Sequence, residues 1–155
     1  MQVRVIALGH RMPAWVAAGW EDYARRMPRE LALTLIELKP EPRHQGKTVT
    51  QILDAEAERI GHAAKGARLV ALDEHGKPWT TRDLANHLAR CRDEATDTAF
   101  VIGSADGLAP SVKAGAAAVV SLSAMTLPHA MVRVIIAEQL YRAVSLLSGH
   151  PYHRD

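Results

Sequence analysis

The residues best suited to proton chemistry are concentrated at the end of the chain. Residues 150–155 follow a long apolar helical pattern and bring together His150, Tyr152, His153 and Arg154. Imidazole, phenol and guanidinium groups can move a proton or stabilise negative charge near neutral pH. Chain ends usually fray, so this tail is useful only if it folds back over a pocket. We expect the rest of the sequence to supply that pocket.

A charged pair on the preceding helical pattern points to the same chemistry. Glu138 and Arg142 are four residues apart and fall on one face of a helix. They either stabilise the helix as an ion pair, or Glu138 holds the Arg142 guanidinium toward the pocket. Because burying such a pair on an otherwise apolar helix costs desolvation energy, we favour the functional interpretation.

Three segments that follow predicted strands are the candidates for the pocket itself. They are residues 72–78, 102–108 and 122–129, and they are rich in glycine, small apolar residues and turn-forming residues. Ligands of open parallel sheets bind beyond the carboxyl ends of the strands. Alone, each segment reads equally well as a turn or a helix start, and residues 103–107 lack the spacing and lysine of a P-loop. Together they predict a pocket for an adenine and a ribose held mainly by backbone groups.

The elements that would position these segments alternate along the chain. The alternation predicts a single-domain α/β fold over residues 1–155, with a parallel-rich sheet and helices on both faces. The predicted strands are residues 2–8, 33–38, 68–72, 99–102 and 119–122, and the predicted helices are residues 13–27, 48–64, 80–91, 111–116 and 129–147.

The last predicted helix is apolar on almost every side. A helix of this kind is buried on more than one face. In a small domain the second face is often covered by another subunit, so we expect a homodimer. The alternative is a central core helix in a monomer.

Composition narrows the class of protein. The 155 residues are 48% hydrophobic and 23% charged, with a formal net charge of +2, which is typical of a folded domain and permits a nucleic-acid partner. The single cysteine, Cys91, fits a reducing compartment. No signal peptide and no membrane-spanning segment are visible, so we expect a cytoplasmic protein with no membrane partner. His150 and His153 lack the companions of a metal site, so we expect no metal.

Blocks of sequence along the whole chain form a specific combination. They are residues 5–9, 72–73 with 76–77, 101–103, 107–108, 122–129, 132–134, 138–143 and 152–154. In this combination the chain resembles the SPOUT, or α/β-knot, methyltransferases, and among them the small enzymes that act on large-subunit ribosomal RNA. The last three blocks carry most of the specificity.

The resemblance implies a fold, a cofactor, a partner and a substrate. The C-terminal part is expected to form a deep trefoil knot, a rare exception to unknotted topology, and to hold S-adenosylmethionine. Each pocket of a homodimer is expected to be completed by the neighbouring subunit. The expected substrate is N3 of a pseudouridine in helix 69 of 23S rRNA, in the assembled ribosome.

The resemblance also assigns roles to individual residues. The cofactor is expected to be held by Leu72, Gly103, Leu122, Ser123, Ala124, Met125, Thr126 and Leu127. Substrate binding or catalysis is expected from His129, Arg142, Tyr152, His153 and Arg154. We expect the two arginines to stabilise the anion left when N3 loses its proton, and Tyr152 and His153 to position the base. His129, His153 and Asp73 are all candidates for the proton acceptor.

One segment departs from the family pattern. Ser104, Ala105 and Asp106 stand where members usually carry a second glycine followed by other residues. A side chain at Ser104 would be strained if this loop needs a positive φ there. A non-catalytic ribosome-associated binding module therefore remains open. So does a different nucleotide-dependent α/β enzyme that uses residues 103–107 to bind a phosphate.

Basic side chains could contact RNA in two places. One group lies between residues 39 and 47, and the other follows the first predicted helix. Nearby glutamates reduce the net positive charge of both groups, so the alternative is that these residues are ordinary solvated surface charge. The residues are Lys39, Arg43, His44 and Lys47, and Arg25, Arg26 and Arg29.

Overall fold

A single five-stranded sheet organises the chain. The computed structural model describes residues 1–9, 11–44 and 46–154. Gln45, within the predicted basic loop, and Asp155, at the end of the tail, lie outside the described residues. All strand pairs are parallel, in the order β2-β1-β4-β3-β5. The strands are β1 (Val3–Leu8), β2 (Leu33–Leu38), β3 (Ala67–Pro78), β4 (Asp97–Ile102) and β5 (Ala118–Ser121).

Helices cover both faces of the sheet, which confirms the predicted α/β fold. Alternate residues of the central strands point to opposite faces, so Val5 joins one apolar cluster and Ile6 the other. The helices are α1 (Ala14–Ala24), α2 (Val49–Ala63), α3 (Thr81–Asp93), α4 (Pro110–Gly115) and α5 (His129–Ser148). The first cluster includes residues of α1, α3 and α5, and the second includes residues of α2 and α4.

Local sequence accounts for most helix boundaries. Thr48 and Thr80 form complete capping boxes with Gln51 and Asp83, which satisfies amide groups that the first helical turn leaves free. Gly149 adopts the left-handed conformation that ends α5. The first helix is shorter than predicted and ends at Ala24 instead of residue 27. Because the residue before a proline avoids the helical conformation, the chain leaves the helix ahead of Pro28.

Strand β3 differs most from the prediction, which ended it at Leu72. In the structure β3 runs on to Pro78, with a bulge over residues 73–76. Val120 of β5 pairs with Leu72 before the bulge and with Lys77 after it. A Cβ at Gly76 would lie 2.7 Å from the backbone nitrogen of Val120, so only glycine permits this close approach. The acidic residues and the glycine in residues 73–76 are typical of a turn, which is why the sequence predicted the end of the strand there. In the structure the bulge accommodates them within the strand.

Helix α5 is buried on more than one side within one protomer. It packs against α1 and α3 as well as the sheet, and Arg133 on it is 1% exposed. The apolar pattern is therefore partly explained without a second subunit. Exposed apolar side chains remain on this side of the molecule, with Met131 on α5 at 39% and Trp15 on α1 at 52%. In the described part of the chain, no helix is long and apolar enough to cross a membrane.

Candidate functional site

A cavity of about 510 Å³ lies at the carboxyl ends of β4 and β5 and beside the bulge of β3. All three segments predicted to form a pocket line it, and we call it the strand-end cavity. The exposed residue Ala124 does not line it, although both of its neighbours do. The other predicted cofactor residues all line it: Leu72, Gly103, Leu122, Ser123, Met125, Thr126 and Leu127.

The floor of the cavity includes a tight loop, residues 103–107, which depends on two glycines and which we call the glycine loop. The backbone amide of Gly107 donates to the Ser104 carbonyl at 2.9 Å. A Cβ at Gly103 would lie 2.5 Å from the carbonyl oxygen of Gly107, and Gly107 has φ +81°. Among the described residues other than glycine, positive φ values occur only at Arg11 and Ala95. The expected strain at Ser104 is therefore absent, because the loop takes its left-handed turn at Gly107 instead.

Ser104 has a specific role that the sequence did not suggest. Its hydroxyl donates to the carboxylate of Glu56 at 2.7 Å, and Glu56 is only 2% exposed. Glu56 also accepts the backbone amide of Glu41 at 3.0 Å. The serine thus links the glycine loop to α2 and to the loop after β2. A signal was present in the sequence, because Glu56 falls on the apolar face of α2 with Ile52, Leu53 and Ile60.

The predicted basic loop contacts the glycine loop from outside. Arg43 donates to Asp106 at 2.8 Å and to the Ser104 hydroxyl at 3.1 Å. Lys47 pairs with Glu41 at 2.5 Å. In the second basic group, Arg25 and Arg26 both pair with Asp22. Much of the positive charge considered for RNA contact is therefore neutralised within the protomer.

A charged pair forms one wall of the cavity. The Asp73 carboxylate lies 2.9 Å from the Lys113 ammonium and accepts the backbone amide of His75 at 2.8 Å. Burial raises the pKa of Asp73, but the hydrogen bonds from Lys113 and from the His75 backbone outweigh it, and the net pKa is lowered. Asp73 is therefore ionised and weakly basic, which makes it a poor proton acceptor. On the same wall, Thr126 donates to Glu74 at 3.2 Å.

His129 begins α5 at the edge of the cavity, and both of its ring nitrogens are engaged. Its Nδ1 lies 3.1 Å from the carbonyl oxygen of Gly103, and its Nε2 accepts from Nε of Arg133 at 3.0 Å. Burial and the Arg133 charge lower the pKa of His129, and the hydrogen bond to Gly103 offsets this in part. The imidazole is thus held as a neutral contact of the glycine loop.

The C-terminal tail lies far from this cavity in its own protomer. Arg142 is 13 residues beyond His129 on α5, which places it about 20 Å further along the helix axis. None of Arg142, Tyr152, His153 and Arg154 lines the strand-end cavity. The expectation that the tail folds back over the pocket is therefore wrong within a single chain, because Tyr152 is hydrogen-bonded to Glu138 near the middle of α5.

The tail is nonetheless an organised cluster built on the predicted Glu138–Arg142 pair. Oε1 of Glu138 accepts from Arg142 at 2.8 Å and from the Tyr152 hydroxyl at 3.0 Å. The Arg142 guanidinium stacks 4.9 Å from the centre of the Tyr152 ring. Burial, with hydrogen bonds to Tyr23 and Glu138, raises the pKa of Tyr152. Tyr152 is therefore a proton donor in hydrogen bonds and not a base near neutral pH.

The last residues of the described tail differ in their surroundings. Nδ1 of His153 is buried and has no hydrogen-bond partner among the described residues. Arg154 is exposed and follows a short 3-10 turn at Pro151–His153. A buried imidazole nitrogen without a partner is costly, and Nδ1 of His153 is such a group in the described part of the tail.

Within the described ranges, no group of three or more His, Cys, Asp or Glu side chains is arranged to hold a metal ion. Cys91 is buried as a free thiol in α3. Its Sγ lies 3.6 Å from Nε2 of His87, and burial raises its pKa. Cys91 is therefore a core residue outside the functional site.

These features define a class of protein. A parallel α/β sheet carries a cavity at the carboxyl ends of its strands, with a glycine loop on one side and leucines on the other. The cavity has the size of a small-molecule site, and its backbone groups and apolar side chains suit a nucleoside-containing ligand.

Comparison with known proteins makes the class specific. The family model described as "Predicted SPOUT methyltransferase" matches residues 1–153. Proteins named "Ribosomal RNA large subunit methyltransferase H" from Nitrosospira multiformis and Burkholderia multivorans are each 52% identical over 155 residues, covering 99% of this chain and 99% of theirs. The solved tRNA (m1G37) methyltransferase of Aquifex aeolicus matches with a TM-score of 0.58 at 11% identity, over 92% of this chain and 70% of that one. The chain belongs to the SPOUT methyltransferase family.

The cofactor of this family fits the strand-end cavity. SPOUT methyltransferases use S-adenosylmethionine, which supplies an electrophilic methyl group. Leu72, Leu122 and Leu127 offer apolar surface for an adenine, and the backbone around Gly103 and Ser123 offers hydrogen-bonding groups. Glu74 adds a carboxylate on the wall nearest β3, which suits a cofactor that carries a sulfonium and an ammonium group, whereas the Asp73 carboxylate is paired with Lys113.

Proposed function

We propose that this protein methylates 23S ribosomal RNA, at N3 of a pseudouridine in helix 69 of the assembled ribosome. The observation that best supports this proposal is the 52% identity, over 99% of both chains, to relatives named as large-subunit ribosomal RNA methyltransferases. The match includes both the strand-end cavity and the tail. A similarity this complete supports a shared substrate as well as a shared fold.

The chemistry of N3 determines what the site has to provide. N3 carries a proton between two carbonyl groups, so it is a poor nucleophile until that proton leaves. A base can take the proton, and cations can stabilise the negative charge that spreads onto the flanking oxygens. The remaining requirement is alignment of N3 with the transferable methyl group.

The tail cluster has the groups for these tasks. Arg142 and Arg154 supply positive charge for the deprotonated base or a neighbouring phosphate, and Tyr152 donates a hydrogen bond because its pKa is raised. His153 is the remaining candidate acceptor for the N3 proton, because the pKa of Asp73 is lowered. His129 is less suited, because both of its ring nitrogens are engaged.

The separation of cavity and tail calls for a second subunit. About 20 Å of α5 separates His129 from Arg142, so one protomer cannot bring the tail to its own cavity without unfolding the helix. We therefore propose a homodimer in which each cavity is completed by the partner's tail. Trp15 on α1 and Met131 on α5 are exposed and supply apolar surface for that contact.

The remaining features of the proposal follow from the family. Residues 1–155 act as one domain, and the segments that follow β4 form the trefoil knot around the cofactor. The substrate is ribosomal, so the protein acts in the cytoplasm. With a net charge of +2 and much of its basic surface paired internally, the protein recognises a shaped ribosomal surface better than free RNA.

Methyl transfer to defined substrates tests the proposal. Labelled S-adenosylmethionine is incubated with the protein and ribosomes that lack the modification, and in parallel with free 23S rRNA. We expect label only in ribosomes, and a reverse-transcription stop at the helix 69 pseudouridine, because an N3 methyl group blocks the Watson–Crick edge. Arg154→Ala, an exposed change in the tail, is expected to reduce turnover at least tenfold while leaving cofactor affinity unchanged.

The two other functions predict different results. A binding module would retain tight ribosome association without transferring label. A different nucleotide-dependent enzyme would bind NAD or ATP in calorimetry in preference to S-adenosylmethionine. Label at another nucleotide would keep the methyltransferase and refute the proposed site.

A further inference from the structure

We propose that Arg133 is a positioning residue that fixes His129 in the neutral tautomer with its proton on Nδ1, so that this imidazole holds the Gly103 carbonyl at the cofactor site. The functional consequence rests on the function proposed above. The tautomer itself does not, because it is a property of the protein without any ligand.

Arg133 is the largest fully buried side chain of the core, and all three of its guanidinium nitrogens donate hydrogen bonds. It is 1% exposed. One terminal nitrogen donates to Glu37 of β2 at 2.7 Å, and the other donates to the carbonyl of Gly9 at 3.0 Å. The remaining donor, Nε, points at Nε2 of His129 at 3.0 Å. A single side chain therefore joins the ends of β1 and β2 to the start of α5.

The chemistry of guanidinium determines the state of the imidazole. Arginine has only donors and stays charged in proteins. Nε2 of His129 must therefore offer its lone pair and carry no proton. A neutral imidazole then has its proton on Nδ1, and Nδ1 lies 3.1 Å from the Gly103 carbonyl oxygen, where it donates a hydrogen bond.

A protonated His129 would place two donors against each other. Its Nε2–H would face Nε–H of Arg133 at 3.0 Å, next to a buried positive charge. The lowered pKa of His129, caused by burial and by Arg133, agrees with this geometry. The ring is therefore a poor general base, and it acts through the backbone that it holds.

The end of β1 is built to admit this arrangement. Gly9 has φ +153°, and a Cβ there would lie 3.3 Å from a terminal nitrogen of Arg133 and 3.6 Å from Nε2 of His129. A larger residue would push the guanidinium away from its acceptors. At the other end of the chain of contacts, Gly103 tolerates no Cβ, so the direction of its carbonyl affects the whole glycine loop.

The tautomer can be read directly by NMR. Long-range proton–nitrogen spectra of the full-length protein without cofactor, at neutral pH, distinguish a ring protonated on Nδ1 from one protonated on Nε2. The signal is assigned by its loss in His129→Asn. We expect the Nδ1–H form. A ring protonated on Nε2, or on both nitrogens, would overturn the proposal.

Two substitutions at His129 separate its two contacts. Asparagine places an amide nitrogen near the position of Nδ1 and keeps the donor to Gly103, whereas glutamine reaches the position of Nε2 and keeps only the acceptor for Arg133. Calorimetry with S-adenosylmethionine is expected to show a weakening of about tenfold or more for His129→Gln, the effect of one lost hydrogen bond. His129→Asn is expected to lose at least threefold less. Equal losses, or the reverse order, would contradict the inference.

A matched pair of arginine variants tests the role of the guanidinium. Lysine cannot serve three acceptors in one plane, so Arg133→Lys is expected to produce a mixture of His129 tautomers and a cofactor Kd at least about fivefold higher. Arg4 is the control, because it is a partly buried arginine on β1 that likewise has three acceptors, namely Asp97 and the carbonyls of Ala63 and Lys65. Arg4→Lys is expected to change neither readout. An unchanged tautomer in Arg133→Lys would refute the role of Arg133.

The outcomes distinguish this inference from the proposed function. If wild-type protein binds no S-adenosylmethionine, the proposed function fails while the NMR result still decides the tautomer. If the cofactor binds and methyl transfer proceeds but His129 carries its proton on Nε2, the function stands and this inference fails. If Arg133→Lys does not fold, the wild-type spectrum and the two His129 variants still decide it.

Discussion

At the scale of single residues, the glycine loop shows how a side chain beside a glycine can support a tight turn. Ser104 is free of backbone strain and donates a hydrogen bond to the buried Glu56. Its hydroxyl also accepts from Arg43. The side chain therefore stabilises the loop by joining it to Glu56 and Arg43.

Glycine at position 104 is expected to lower the stability of the protein. Ser104→Gly removes the donor to Glu56 and leaves a buried carboxylate short of a partner. We expect the free energy of unfolding to fall by about 1–2 kcal/mol, with no gain in cofactor affinity. Urea unfolding and calorimetry measure the two effects. Tighter cofactor binding at unchanged stability would show that the serine is a defect and not a support.

His87 makes stability depend on pH. Its Nε2 lies 2.8 Å from the Thr98 hydroxyl, and burial lowers its pKa from 6.5 to about 4, with Arg68 and Arg90 adding to the effect. The unfolded state therefore binds a proton at higher pH than the folded state does. The stabilisation is complete above pH 6.5 and is lost as the pH falls toward 4, by roughly 2–3 kcal/mol.

The measurement is the difference in pH dependence between variants. Urea unfolding is followed at several pH values between 7 and 4.5 for the wild type, His87→Gln and His75→Gln. We expect a shallower pH dependence only for His87→Gln. His75 is the control because its side chain is 84% exposed. If the wild type and His87→Gln respond equally to pH, His87 is not the group responsible.

At the scale of elements, periodicity and capping residues predicted the order and type of every strand and helix that we described. The error at β3 has a local cause. Residues 73–76 have turn composition, and only their pairing partner, Val120, reveals that the strand resumes at Lys77. Register between strands distant in sequence is a tertiary property, so a single sequence does not contain it in readable form.

The bulge in β3 is expected to depend on Gly76. Gly76→Ala would place a methyl group against the backbone of Val119 and Val120, so β5 must move away from β3. We expect a loss of 2 kcal/mol or more in unfolding free energy, as for other strained or overpacked sites, together with weaker cofactor binding. Gly61→Ala in α2 is the matched control, because nothing lies within 4 Å of its added Cβ. It is expected to stabilise by about 0.5–1 kcal/mol. Similar effects of the two substitutions would contradict the role assigned to the bulge.

At the scale of the whole molecule, both halves of the candidate site were recognisable in the sequence, but the distance between them was not. The pocket residues follow strands, and the tail residues follow a helix. Only the length and direction of α5 show that they lie at opposite ends of it. Strand ends meet at a common edge by a general rule. No comparable rule tells where a short tail packs, since that depends on contacts such as Tyr152 with Glu138.

A mixed dimer is expected to show that the two halves come from different subunits. One subunit carries Gly103→Ala, which disrupts its cavity, and the other carries Arg154→Ala, which disrupts its tail. Two different affinity tags allow purification of the mixed species. If each cavity uses the partner's tail, one of the two sites is intact. The unchanged cavity of the Arg154→Ala subunit then meets the unchanged tail of the Gly103→Ala subunit. Methyl transfer to ribosomes is then expected at about half the wild-type rate per dimer, whereas each variant alone is expected to be at least about tenfold less active than the wild type. If each cavity instead uses its own tail, both sites of the mixed dimer are damaged and no activity returns.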